Sequence, residues 1–180
     1  MKGKGTGTRI DLTWAKVKGA TGYDVYWSYC NGKNNFNKLA NVPKSQKYAD
    51  KNLNNKREYK YFTVAYKMSG GKKVYLGRTN TVHVAMPQAS KTNVLKVTVN
   101  KTKVNLAKGK TFKITKKVKL ENPKKKALNH LTKKERFITS NAKVATVSSA
   151  GVIKAVRKGT CTVYVMSENG VCAKIKVTVK

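Results

Sequence analysis

Three cysteines (Cys30, Cys161, Cys172), two histidines (His83, His130) and seven carboxylates are the groups in this 180-residue chain that could move protons, attack carbon or hold a metal. Their spacing supports none of those chemistries. The carboxylates are scattered singly, so no acid and base flank one bond as glycoside hydrolysis requires. Nor do they cluster as a calcium loop would. The cysteines and histidines follow no zinc spacing. No Ser-His-acid or Cys-His grouping is suggested. Gly3, Gly5 and Gly7 precede a strand instead of opening a helix, so they do not form a phosphate loop. The expectation is a chain that is not an enzyme, with no catalytic residues, no metal site and no cofactor.

Binding chemistry is better represented. Forty Lys and Arg stand against seven Asp and Glu, a formal net charge of +33. Five of the basic residues are Arg and the rest are Lys. Lysine is a point charge and arginine a planar fork, so this composition suits nonspecific attraction of polyanions more than base or phosphate recognition in pockets. A solvated lysine coat that keeps strand edges from pairing explains the same composition. The densest basic cluster is the insert from Leu120 to Lys134, with Lys124, Lys125, Lys126, Lys133 and Lys134. Leu128 and Leu131 are one helical turn apart, which fits a basic loop with a short pinned helix. Its two readings are an exposed loop and a contact for anionic glycans, cell-wall polymer or nucleic acid.

Strand parity gives a second candidate. Tyr59, Tyr61, Thr63 and Ala65 alternate as an inward set, which leaves Lys60, Phe62, Val64 and Tyr66 facing out. The outer face of an antiparallel sandwich sheet is ordinarily polar. Phe62 and Tyr66, with Tyr26 on a neighbouring strand, make an aromatic patch there. Such a patch marks a packing surface or a ligand site, and its flat rings could stack on a sugar.

These residues must be positioned by strands. From Lys143 to Lys180, short β-branched runs alternate with turn clusters: Ser148-Ser149-Ala150-Gly151, Lys158-Gly159 and Glu168-Asn169-Gly170. No gap leaves room for a helix, so this is an antiparallel meander. A two-residue Asn-Gly turn in the last hairpin would put its apolar sets on opposite faces. A three-residue loop with Gly170 left-handed pairs Val165 with Ala173 and puts both on one face. That register turns Cys161 inward and Cys172 outward, too far apart for a disulfide, so all three cysteines read as thiols.

The run Ser140-Asn141, Val144 to Val147, Gly151 to Val156 and Lys158-Gly159-Thr160 resembles the group 2 bacterial immunoglobulin-like domain. Val97 to Lys101 and Leu106 to Thr111 fit its opening strands, so the resemblance spans roughly Asn93 to Lys180. Arg136-Phe137-Ile138 replaces a Trp-containing strand of many members. Residues 1–86 resemble a fibronectin type III domain. Trp14, the run Tyr23 to Tyr26, and Leu53 six residues before Tyr59 (the approach to a tyrosine corner) carry that resemblance. The first strand, before Arg9, reads as short or truncated.

The expected architecture is therefore all-β, two tandem immunoglobulin-like antiparallel β-sandwiches: 1–86, a linker 87–93, and 94–180. The resemblances imply a noncatalytic structural or adhesion region of a secreted or surface-anchored bacterial protein. Its expected partners are flanking domains of a longer chain, neutral or anionic glycans or host surface proteins, and nucleic acid only nonspecifically. The alternative is a carbohydrate- or polyanion-binding module. No apolar run approaches the ~20 residues that cross a bilayer as a helix. The N-terminus lacks the apolar centre of a signal peptide. This leaves an intracellular protein or a fragment, and the resemblances favour the fragment.

Overall fold

A computed structural model describes residues 1–30, 32–131 and 136–180. Among them the regular structure is β-strand, with no α-helix. The backbone divides into two compact units, Met1–Asn93 with Lys124–Leu128, and Val94–Pro123 with Asn129–Lys180. Each is an immunoglobulin-like β-sandwich of predominantly antiparallel sheets.

In the first unit, β1 (Lys2–Thr6), β2 (Arg9–Thr13) and β5 (Lys47–Asp50) form one sheet. The other runs β4 (Asn37–Pro43), β3 (Gly22–Tyr29), β6 (Glu58–Ser69), β7 (Lys72–Arg78). Beyond the end of β7, β8 (Val82–Ala85) pairs with the first residues of β6. The short first strand is present, paired with β2 over all five of its residues. Period-2 alternation determines what is buried. Ile10 and Leu12 face Tyr23, Val25, Tyr59, Tyr61, Val82 and Val84 in one core. The inward set Tyr59, Tyr61, Thr63 and Ala65 is buried throughout.

A core rich in tyrosine must satisfy its hydroxyls. The Tyr59 hydroxyl accepts from the Asn54 amide at 3.0 Å, closing the corner after Leu53. The Tyr23 hydroxyl accepts from the Val17 amide at 2.9 Å. Tyr61 donates to Asp50 at 2.8 Å.

Residues 87–93, read above as a linker, belong to the first unit. Ala89 is buried with Ala85 and Leu128. Asn93 imitates a strand partner: its Oδ1 accepts from the Ala85 amide and its Nδ2 donates to the Ala85 carbonyl, both at 2.8 Å. β9 (Lys91–Thr92) pairs in parallel with β14 (Lys126–Ala127), which carries part of the lysine insert back to this unit. Sequence composition marked this segment as a connector because it has one proline and small polar residues. The Asn93 side chain instead hydrogen-bonds both backbone groups of Ala85.

In the second unit, β10 (Val94–Val99) pairs with β13 (Lys116–Leu120). β12 (Thr111–Lys113), β17 (Val152–Ala155) and β16 (Ala145–Val147) form a three-stranded sheet. β11 (Lys103–Leu106), β19 (Cys172–Val179), β18 (Gly159–Met166) and β15 (Phe137–Thr139) form a four-stranded one, with β11 and β19 parallel. The alternating run from Thr111 to Val118 is divided between β12 and β13. Val165 pairs with Ala173, and Gly170 is left-handed at φ 82°, as the three-residue loop requires. Cys161 is buried and Cys172 exposed, and none of the three cysteines forms a disulfide among the described residues.

The described part of the insert forms no helix. Leu128 is buried in the first unit and Leu131 in the second, so the two leucines do not share one face. Glu168, in the last hairpin's loop, is buried, and its carboxylate accepts from the Leu131 amide at 2.9–3.0 Å and from Arg136 at 2.8 Å.

Candidate functional site

The outward face of the first unit's larger sheet carries the aromatic candidates. Tyr26 lies opposite Phe62 across β3 and β6. Their rings stack at 4.9 Å with an interplanar angle of 11°. Phe36, from the loop before β4, packs edge-on against Phe62 at 4.7 Å. The Arg78 guanidinium sits 4.0 Å over the same ring. Lys60 reaches along this face, donates to the Lys33 carbonyl and passes 5.0 Å from the Phe36 ring. The chain's own side chains thus occupy the faces and edges of Phe62 that a sugar ring would use. Burial and the nearby charges of Tyr75 and Asp24 push the Tyr26 hydroxyl above its ordinary range, with Lys73 opposing.

Tyr66 lies on the expected face, yet it is only 5% exposed. Its ring rests over Gly22, where no side chain stands in the way. Its hydroxyl lies 2.8 Å from Asn41 Nδ2 and 3.1 Å from Asn41 Oδ1. Lys73 sits 4.1 Å above the ring. These groups surround Asp24, whose side chain is closed to solvent. Its carboxylate accepts from Lys73 at 2.8 and 3.0 Å and from Asn41 at 2.7 Å, and pairs with Lys38 at 3.1 Å. Burial raises the Asp24 pKa, but the hydrogen bonds from Lys73, Asn41 and Lys38 more than offset that and leave it below the ordinary value. The bond to Asp24 raises the Lys73 pKa against a smaller opposing effect of burial. This network consumes Tyr66 as a structural group.

The apolar surface left open is on β7 instead. Val74, Tyr75 and Leu76 are 41%, 56% and 38% exposed on this outer strand of the sheet. Sequence parity missed them because six of the seven residues of β7 are exposed, so the alternation carries no information about facing.

The lysine candidates divide. Lys125 donates to the carbonyls of Pro87 at 3.0 Å and Ala89 at 2.7 Å, so its charge fastens the insert to the first unit. Lys124 and Lys126 are exposed. Lys133 and Lys134 lie outside the described residues. In the second unit, burial and the nearby Arg136 charge push the Lys116 pKa down, with Glu168 opposing.

One pair of potential metal ligands comes together within the first unit. Cys30 Sγ lies 3.3 Å from His83 Nδ1. His83 is half-buried on β8, between the buried Val82 and Val84. Which strand lies beside which is not written in the spacing of Cys30 and His83, so the pair was not legible.

Residues 93–179 match the bacterial Ig-like domain (group 2) family. The match spans the strands from β10 to β19. No curated protein matches the chain. Among solved structures, the crystal structure of the S-layer protein rSbsC(31-844) is 17% identical with a TM-score of 0.39, over 92% of this chain and 21% of that one. Domains 4 and 5 of the S-layer protein SbsC are 16% identical with a TM-score of 0.38, over 87% of this chain and 70% of that one. The FN1-FN3 domains of chicken CNTN1 are 16% identical with a TM-score of 0.39, over 99% and 62%. The chain spans about a fifth of the first of these proteins.

Proposed function

We propose that this chain is a noncatalytic structural region of a secreted or surface-exposed bacterial multidomain protein, a fibronectin type III-like module followed by a group 2 Ig-like domain. It spaces and presents neighbouring domains. The observation that carries this reading is the internal satisfaction of the candidate binding groups. Phe62 is covered by Phe36 and Arg78, Tyr66 is held by Asn41 and Lys73, and Lys125 is spent on backbone carbonyls. Trp14 in the core and the Tyr59 hydroxyl at the Asn54 corner support the reading of the first module.

The test is binding of the purified chain to neutral and anionic glycans and cell-wall polymer at low and physiological salt. The expected result is no selective binding at physiological salt, and no change on Phe62→Ser. Selective, salt-tolerant binding that Phe62→Ser abolishes would replace the spacer reading with a carbohydrate-binding one.

A second reading, polyanion binding, is favoured by the four-stranded sheet of the second unit. Lys103 and Lys176 are direct neighbours across β11 and β19, and Lys174 lies two residues along β19. All three are exposed, and β11, β15, β18 and β19 contain no Asp or Glu. Binding of this kind falls steeply with salt, because it is driven by counterion release. Replacing all three lysines with Gln is expected to flatten the slope of log affinity against log salt by about two to three units for duplex DNA, near one unit per lost contact. An unchanged slope would assign the attraction to net charge alone.

A further inference from the structure

Cys30 and His83 do not come from neighbouring strands. Cys30 follows β3, and His83 is in β8. These strands flank β6 on opposite sides: Tyr29 pairs with Tyr59, and His83 pairs with Lys60. Two strands separated by a third are about 9–10 Å apart. The two side chains nevertheless converge over β6 to 3.3 Å. Their backbones are fixed. The Cys30 amide donates to the Glu58 carbonyl at 3.1 Å, and His83 sits within the β6–β8 ladder. Both side chains are half-buried.

We propose that Cys30 Sγ and His83 Nδ1 are two ligands of a site for zinc(II) on the first unit. Zinc is borderline-soft and takes thiolate and imidazole at about 2.3 and 2.0–2.1 Å in tetrahedral geometry. Two such ligands about one metal stand roughly 3.5 Å apart, close to the separation found here. Binding forms one Zn–S and one Zn–N bond and releases the thiol proton to solvent, with no change of oxidation state. His83 offers Nδ1 in its neutral tautomer. Two coordination positions remain for ligands beyond the pair. Glu58 and Lys60 are the titratable side chains of β6 on this side. The Lys60 ammonium is turned away onto the Lys33 carbonyl, with Asn34 Oδ1 at 3.4 Å. The other cysteines differ in kind: Cys161 is enclosed in the second core, and Cys172 is an exposed thiol.

The experiment is titration of the reduced, metal-free full chain with zinc against a chromogenic chelator, and with cobalt(II) as a spectroscopic substitute. One equivalent bound, with a thiolate-to-cobalt charge-transfer band in the near ultraviolet, is expected. Loss of an outer-shell partner alone typically lowers metal affinity about 10–100-fold. Cys30→Ser and His83→Gln should each weaken zinc by at least that factor, and Cys30→Ser should remove the band. Cys172→Ser and Cys161→Ser should leave both readouts unchanged. Circular dichroism and thermal melting of each variant confirm that it is folded, and His83→Gln keeps the test open if Cys30→Ser is not. No binding, a band that survives Cys30→Ser, or a band lost with Cys172→Ser would overturn the proposal and leave the contact as an S–H···N hydrogen bond.

Discussion

Gly22→Ala is expected to destabilise the first unit by about 2–4 kcal/mol, far beyond the usual effect of one added methyl group. A Cβ at position 22 would meet the Tyr66 hydroxyl at 2.3 Å and its Cζ at 2.5 Å. The residue has no left-handed backbone to strain, so the effect is steric alone. The ring must lift, which breaks its bonds to Asn41 and its stacking with Lys73. Asn41 also donates to Asp24, so the disturbance reaches a carboxylate that is closed to solvent. Tyr66→Phe in the Gly22→Ala background should not rescue stability, because Cζ stays. Tyr66→Ser should recover a substantial part, because it removes the ring. Denaturant titration followed by tryptophan fluorescence reports on this unit, since Trp14 and Trp27 both lie in it. Additive effects of Gly22→Ala and Tyr66→Ser would mean the two positions do not press on each other.

The fold was legible where side-chain alternation and turn chemistry agreed. The Val165–Ala173 register follows from requiring two apolar sets on one face, and it placed Cys161 inside and Cys172 outside. The Tyr59 to Ala65 set was readable for the same reason. Parity assigns a face but not what covers it. Tyr66 was placed on the outer face, yet Asn41, from a strand 25 residues earlier, closes over it. Lys125 read as free charge, because nothing local shows that the Pro87 and Ala89 carbonyls stand within reach. The helical spacing of Leu128 and Leu131 misled, because the chain passes from one unit to the other between them. The Cys30–His83 pair depends on strand order across β6, which single-sequence periodicity does not encode.

Asp24 and Asp50 are expected to shape the acid stability of the first unit in opposite directions. Burial raises the Asp24 pKa, but its bonds to Lys73, Asn41 and Lys38 outweigh that and lower it below the unfolded value. A lowered folded pKa gives stability that is full above the unfolded pKa and is lost as pH falls through the folded one. Asp50 is 8% exposed, and burial raises its pKa, with the bonds from Tyr61 and the Lys51 backbone only partly opposing. Its contribution is full below the unfolded pKa and is lost as pH rises through the folded one. Asp24→Ala at neutral pH should therefore destabilise the unit. Removing one partner of a fully buried pair costs about 3–5 kcal/mol. The Lys38 and Lys73 side chains are 47% and 28% exposed, so water screens them after the loss. The expected value is accordingly smaller, about 1–3 kcal/mol. Asp24→Asn should flatten the loss of stability on acidification below the unfolded carboxylate value, because the group whose ionisation supplies that loss is gone. Asp50→Asn should steepen the acid loss, because it removes the one of these two carboxyls that opposes it. Asp50→Asn should also cost little at neutral pH, where the buried charge is a liability and the Asn side-chain oxygen still accepts from Tyr61. Denaturant titrations of the wild type and both Asn variants across acidic and neutral pH would separate the two effects. Parallel profiles for the two variants would show that neither carboxyl titrates in the environment described, and that the lysines around Asp24 are held by packing instead of by its charge.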